Sequence, residues 1–387
     1  MQTFCENFPD ELLEEIMSWL PPDSLRRFKF VCKSWRVLIT SFIKNPAFVD
    51  KHLANMKNNK LRSPFIQFRN VLTTRNPESQ KGNHFLTLFS DDYDDLDDTS
   101  YIPENLKFLT CYSSLKLVGH CNGIICLSSY HMNGVFVLLN PTLRELKVVS
   151  NAYPGDDSSS VGVAFNYDSR ANEYKVVTIK SINKYGYGDG PYKAEVFTLS
   201  TNSWKEIELG MEILYFPSFD YQVVYCDGVC YWYFWYRTCT ILSFDVSDEV
   251  FKIIPFNVPF IEREWVTLSK WTKLVVWNDR LVLFFYPELD PIVIDMWVMD
   301  ASSDGVRGDY SWSKHLTIGP LENIKYPLEF WDADMLFMET KDGEFVFYNI
   351  HSKELDDHIV SLGPCHGNFG ALSYAKSLVS ILKREDN

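Results

Sequence analysis

Apolar residues at Leu12, Leu13, Ile16, Met17 and Leu20 recur at helical spacing directly after Phe8-Pro9, which predicts an amphipathic helix. Pro9 suits a first helical position, and Asp10, Glu11, Glu14 and Glu15 place negative charge in the early turns, where the helix dipole favours it. Pro21-Pro22 stops this helix, and Asp23 or Ser24 is expected to cap a second one with apolar positions Leu25, Phe28 and Val31. Trp35, Leu38, Ile39 and Phe42 continue the pattern in a third short helix. Three helices in about forty residues bury little surface alone, so part of this apolar set awaits a partner.

Farther along, the period changes. Five β-rich runs, 136–140, 197–200, 242–245, 297–300 and 345–349, each end in a small polar residue and are soon followed by a bulky side chain. Those polar residues, Asn140, Ser200, Asp245, Asp300 and Asn349, are 60, 45, 55 and 49 residues apart. That spacing is close to the roughly 50-residue period of a kelch-type propeller blade. Asn122-Gly123, Asp227-Gly228 and Asn278-Asp279 lie upstream between β-forming runs and read as hairpin turns. The second unit lacks such a turn at that spacing because residues 185–191 read as an inserted loop. Each unit is therefore expected to hold four antiparallel strands. The organisation this predicts is a small all-α module over 1–46, a linker and the start of the β-domain over 47–81, and a large all-β propeller-like domain over 82–387.

Composition sharpens this picture. Aromatics make up 16% of the 387 residues, with 28 Phe, 21 Tyr and 11 Trp, which suits packed strands. Residues 1–81 carry 13 Lys and Arg against 8 Asp and Glu, while residues 82–387 carry 24 against 43, a balance of −19. An acidic large domain argues against nucleic acid as its ligand and either favours a basic partner or simply maintains solubility. Nine scattered cysteines read as reduced thiols, and neither Cys121 with Cys126 nor Cys226 with Cys230 finds a second pair at zinc-site spacing. With no apolar run long enough to span a membrane and no signal-type N-terminus, the cytoplasm or nucleus is the expected compartment.

The run Phe8-Pro9-Asp10-Glu11-Leu12-Leu13-Glu14-Glu15-Ile16, then Leu20-Pro21, then Leu25, Phe28 and Val31-Cys32-Lys33-Ser34-Trp35-Arg36, resembles an F-box. Two departures are Phe8, where the family usually has Leu, and Trp19, where a polar residue or Arg is commoner. The resemblance implies that Phe8, Pro9, Leu12, Ile16, Leu20, Pro21, Leu25, Val31, Cys32 and Trp35 face or support a Skp-type adaptor, linked to a cullin and a RING subunit. For Leu12 and Phe28, filling the three-helix core is an equal alternative.

Leu117-Val118-Gly119-His120-Cys121-Asn122-Gly123-Ile124-Ile125-Cys126-Leu127 and Leu139-Asn140-Pro141-Thr142, with Arg144-Glu145, resemble the F-box-associated domain of plant proteins. Asn202-Ser203-Trp204-Lys205 and Asp227-Gly228-Val229-Cys230-Tyr231-Trp232 belong to the same pattern. The spacing of Trp297-Val298-Met299-Asp300, Ser311-Trp312 and Pro320-Leu321-Glu322 is most similar to the S-locus F-box branch, which acts in pollen recognition of pistil ribonucleases.

Catalytic signals are few. No phosphate-cradling loop, nucleophile elbow or His-Glu-x-x-His helix occurs, no cofactor or metal is implied, and His351, His358 and Cys365-His366 read as solvated surface. Asp91, Asp92, Tyr93, Asp94, Asp95, Asp97 and Asp98 form an acidic run that is either a solvated loop or an anionic patch for a basic target. It lacks the Gly and Glu positions of an EF-hand loop. Tyr185, Tyr187 and Tyr215 are the other candidate target contacts. The reading is a non-catalytic recognition subunit of a ubiquitin ligase. Its rivals are a propeller enzyme with a helical oligomerisation module and a scaffold that recruits the adaptor without ubiquitin transfer.

Overall fold

The computed structural model describes residues 9–58, 65–72, 82–89, 115–129, 135–150, 159–182, 192–210, 223–236, 238–256, 272–286, 290–301, 310–356 and 369–382. Four helices come first: α1 (Asp10–Ser18), α2 (Pro22–Phe28), α3 (Lys33–Lys44) and α4 (Pro46–Asn58). α2 begins one residue earlier than its expected cap. Pro21 takes the cap position and Pro22 the first helical one, because a fixed φ near −65° and a missing N–H cost nothing there. Val31 falls beyond the end of α2, in the connection to α3, so it does not sit on a helix face. The fourth helix occupies sequence expected as linker. Asn45 accepts a hydrogen bond from Ala47 N at 3.0 Å at its start, and Phe48 and Val49 are buried with Met17, Leu25, Ile39 and Phe42 in one core.

Among the described residues twenty-three strands follow, arranged as five four-stranded meanders and one three-stranded sheet. The meanders are β3 (Leu115–Cys121), β4 (Ile124–Ser129), β5 (Phe136–Asn140) and β6 (Glu145–Val149); then β7 (Ser159–Asp168), β8 (Glu173–Ser181), β9 (Tyr192–Thr198) and β10 (Ser203–Ile207). The third holds β11 (Val223–Cys226), β12 (Val229–Tyr236), β13 (Thr238–Asp245) and β14 (Val250–Pro255), and the fourth β15 (Thr272–Trp277), β16 (Arg280–Phe285), β17 (Ile292–Ala301) and β18 (Tyr310–Leu321). The fifth holds β19 (Ile324–Phe330), β20 (Met335–Thr340), β21 (Phe345–Asn349) and β22 (Glu354–Leu355). In the three-stranded sheet, β1 (Phe65–Leu72) lies between β2 (Gly82–Phe89) and β23 (Phe369–Ser373), joining strands about three hundred residues apart in sequence.

The first strand of each meander touches that of the next, from β3 through β19, and β23 touches both β19 and β3. The sheets thus close into a ring of blades, with hydrophobic clusters between neighbouring blades. Trp232 exemplifies the packing: it is fully buried between the second and third blades, and its indole N–H donates to Val163 O at 3.3 Å. Burial of such a side chain contributes roughly 2–3 kcal/mol.

Four of the five polar residues of the sequence repeat lie in the third strand of a blade or at its end. Asn140, Asp245 and Asn349 each accept from the backbone N–H groups two and three residues on, closing the turn to the fourth strand. Each turn ends on a residue with positive φ, Arg144, Glu249 or Lys353. Ser200 departs from this pattern, because β9 ends at Thr198 and Ser200 lies within the turn. Asp300 departs too, sitting inside the long β17–β18 hairpin opposite Ser311. Asn122-Gly123, Asp227-Gly228 and Asn278-Asp279 are the predicted two-residue hairpin turns, both residues of each pair having positive φ.

Candidate adaptor-binding face

The helical module holds six of the fourteen large hydrophobic side chains left exposed among the described residues. Leu12, Ile16 and Trp19 lie one helical turn apart along α1. Phe30, Val31 and Val37 are more open still, at 87%, 65% and 71% exposure. Pro9, Pro21 and Cys32 are exposed as well, whereas Leu25 is buried in the helical core and supports this surface from within. Leu20 and Trp35 are half-buried against that core, with Trp35 meeting Phe28 edge-on at 5.1 Å. Phe8 lies outside the described residues.

Sequence reasoning missed Phe30 and Val37. One helical period separates Leu25 from Phe28 and turns both toward the core, whereas Phe30 lies two residues past the end of α2 and Val37 lies on α3, both exposed.

α4 braces the end of α1. His52 Nε2 donates to Leu20 O at 2.9 Å, and Asn55 Nδ2 donates to Ser18 Oγ at 2.8 Å. Lys51 pairs with Glu15 at 2.8 Å, and Glu15 accepts from the Trp19 indole at 2.9 Å, which orients the exposed tryptophan. The hydrogen bond from Lys51, then that from Trp19, hold the Glu15 carboxyl below its ordinary range. Burial, then the charges of Arg26 and Arg36, push Lys29 down at the α2–α3 corner beside Phe30.

Among the described residues, the contacts of the helical module with the propeller lie on one face. Antiparallel meanders place the first–second and third–fourth turns of every blade on the same side. The third–fourth turn of the first blade touches the helices: Arg26 donates to Thr142 O at 3.2 Å, and Leu143 packs against the helical core. The ends of β8, β9, β10 and β11 that border residues 183–191 and 208–222 are on the opposite side. Tyr185, Tyr187, Tyr215 and the acidic run over 91–98 are outside the described residues, as are His358, Cys365 and His366. His351 is exposed and pairs with Asp334 at 2.9 Å.

Among the described residues no group of three His, Cys, Asp or Glu is placed to hold a metal ion, and no helix is long and apolar enough to cross a membrane. Cys121, Cys126, Cys226 and Cys230 are not joined in disulfides. Burial pushes Cys226 up to about 11, and its Sγ donates to Asp279 O at 3.2 Å; Cys126 and Cys230 are pushed further.

Residues 5–46 match the F-box domain and residues 86–381 match the F-box associated beta propeller domain. An F-box/kelch-repeat protein of Arabidopsis thaliana is 25% identical over 378 residues, covering 97% of this chain and 96% of its own. An Arabidopsis F-box protein is 26% identical over 380 residues, covering 91% and 87%. Among solved structures, an oligogalacturonate lyase of Vibrio parahaemolyticus superposes with a TM-score of 0.36 at 9% identity, over 61% of this chain and 62% of its own, which carries nothing about chemistry. A helical module with an open apolar surface, seated on one face of a ring of four-stranded blades, thus has matching relatives along nearly its whole length, and the chain belongs to the F-box proteins that carry an F-box associated β-propeller domain.

Proposed function

We propose that this protein is the substrate-recognition subunit of a Skp–cullin–F-box ubiquitin ligase, binding a Skp-type adaptor through its helices and a target protein through its propeller. The observation that supports it best is the concentration of exposed apolar side chains on the helical module, a surface that costs free energy in water and is relieved by a partner. The chain then contributes proximity, and bond-making is done by other subunits. Ile16→Asp with Val31→Asp tests the adaptor half, since both residues are exposed and the fold should survive. Loss of two apolar anchors is expected to weaken binding of the purified adaptor by about 30-fold or more at unchanged helical content. Unaltered affinity would overturn the adaptor reading.

The target is proposed to be basic, as the −19 balance of residues 82–387 favours, and to meet the propeller face opposite the helices. A secreted ribonuclease of the kind recognised by the S-locus branch is the first candidate. Replacing Asp91, Asp92, Asp94, Asp95, Asp97 and Asp98 by Asn should slow association with that ribonuclease and flatten its salt dependence, adaptor binding being unchanged. Identical association kinetics would remove the run from the target site.

A further inference from the structure

We infer that residues 374–381, which follow the last strand, are a positioning element that fixes the helical module to the propeller by lying between their two hydrophobic cores. Leu378 is buried in the helical core beside Met17, Leu25 and Phe48. Ile381, three residues on, is buried in the core between the first and second blades. Val379 touches both.

The seat for this segment is built by the first blade. Tyr374, fully buried, donates its hydroxyl proton to Gly123 O at 3.0 Å, and Ser377 Oγ donates to Asn122 O at 2.5 Å. Asn140 is saturated: its Oδ1 accepts from Thr142 N and Leu143 N, while its Nδ2 donates to Val379 O at 2.7 Å and Ser377 O at 3.3 Å. Glu145 accepts from Ser380 Oγ and from Ile381 N, each at 2.8 Å. On the other side Lys376 pairs with Asp23 of α2 at 2.5 Å. The two sequence phrases around Asn122-Gly123 and 140–145 therefore do more than turn the chain: together they clamp a segment more than two hundred residues away.

The consequence is a fixed angle and distance between the apolar helical surface and the far face of the propeller. Arg26 and Leu143 also link the helices to the first blade, and Asp50 of α4 acts electrostatically on Tyr167 and Tyr174 of the second, but the buried apolar bridge between the two cores is residues 374–381.

Two full-length variants attack the segment from opposite sides. Leu378→Asp breaks its contact with the helices, and Glu145→Ala with Ser377→Ala removes its anchors to the first blade while leaving the Asn140 turn that carries Thr142 and Leu143 intact. In both, small-angle X-ray scattering is expected to show a larger radius of gyration and a tail at long distances, with the helical and β signals of circular dichroism kept. Unchanged scattering in either variant would overturn the inference. So would expansion accompanied by loss of helical signal, which would make the segment merely a piece of the helical core. The readout needs neither adaptor nor target, so it stands or falls apart from the ligase reading.

Discussion

Gly123 and Gly228 occupy the second position of equivalent hairpin turns, with φ of 76° and 79°, yet their surroundings differ. A Cβ on Gly228 meets nothing within 4 Å, whereas one on Gly123 is 2.3 Å from Ser377 Oγ and 2.8 Å from Ala375 O. Gly228→Ala should therefore cost only the left-handed backbone penalty, about 1–2 kcal/mol. Gly123→Ala adds displacement of the docked segment and should cost about 3 kcal/mol or more in urea unfolding. Equal losses would mean that the segment yields freely. Residue identity alone does not separate the two glycines; the difference arises from a chain segment remote in sequence.

At the scale of elements, the second and third blades are stitched by charge. Lys175 of β8 is 2.8 Å from Asp168 at the end of β7 and 2.9 Å from Glu249 in the β13–β14 turn, and it donates to Val246 O. Burial alone would raise the Asp168 carboxyl, but hydrogen bonds from Lys175, Ser247 Oγ and Ala171 N outweigh it and hold it down at about 2. The folded state then takes this proton less readily than the unfolded chain. Its stabilisation, about 2 kcal/mol, is complete above the unfolded value near pH 4 and is lost as pH falls toward 2. Urea midpoints of wild type and Asp168→Asn should converge over that window; a gap constant from pH 5 to pH 2 would refute the linkage. Lys175→Met, which leaves a buried carboxylate without its cation, should cost about 3 kcal/mol near neutrality, read in the same unfolding assay. α4 shows how an element escapes notice: Asn45-Pro46 is a legible helix start, but the following apolar pattern is weak, and the helix is held by packing on α1 and α3.

Across the whole molecule, closure of the ring depends on β1, which supplies the sole partner of β23 among the described strands. A fragment of residues 82–387 lacks β1 and should melt about 5 °C or more below a fragment of residues 65–387, followed by β-sheet circular dichroism. Equal midpoints would show that the three-stranded sheet contributes nothing to closure. The sequence by itself determined the amphipathic helices, the hairpin turns and the repeat of the third strands. Each of these follows from local rules: a 3.6-residue period, positive φ at Asn-Gly and Asp-Gly, and an Asn or Asp side chain capping the next turn. Of the candidate face, the stripe Leu12–Ile16 follows from the helical period, whereas Val31 and Cys32, outside any helix, were implied only by the F-box resemblance. A period does not say which side is inward, so Leu25 could equally face the adaptor or support that face from within, and Phe30 was overlooked. Only the tertiary structure decided that β23 returns to β1, that the helices sit on one propeller face and that residues 374–381 lie between two cores. Such contacts join residues hundreds of positions apart, where no local period exists to announce them and the hydrophobic effect, having no direction, leaves the choice of partner to the packing of the whole.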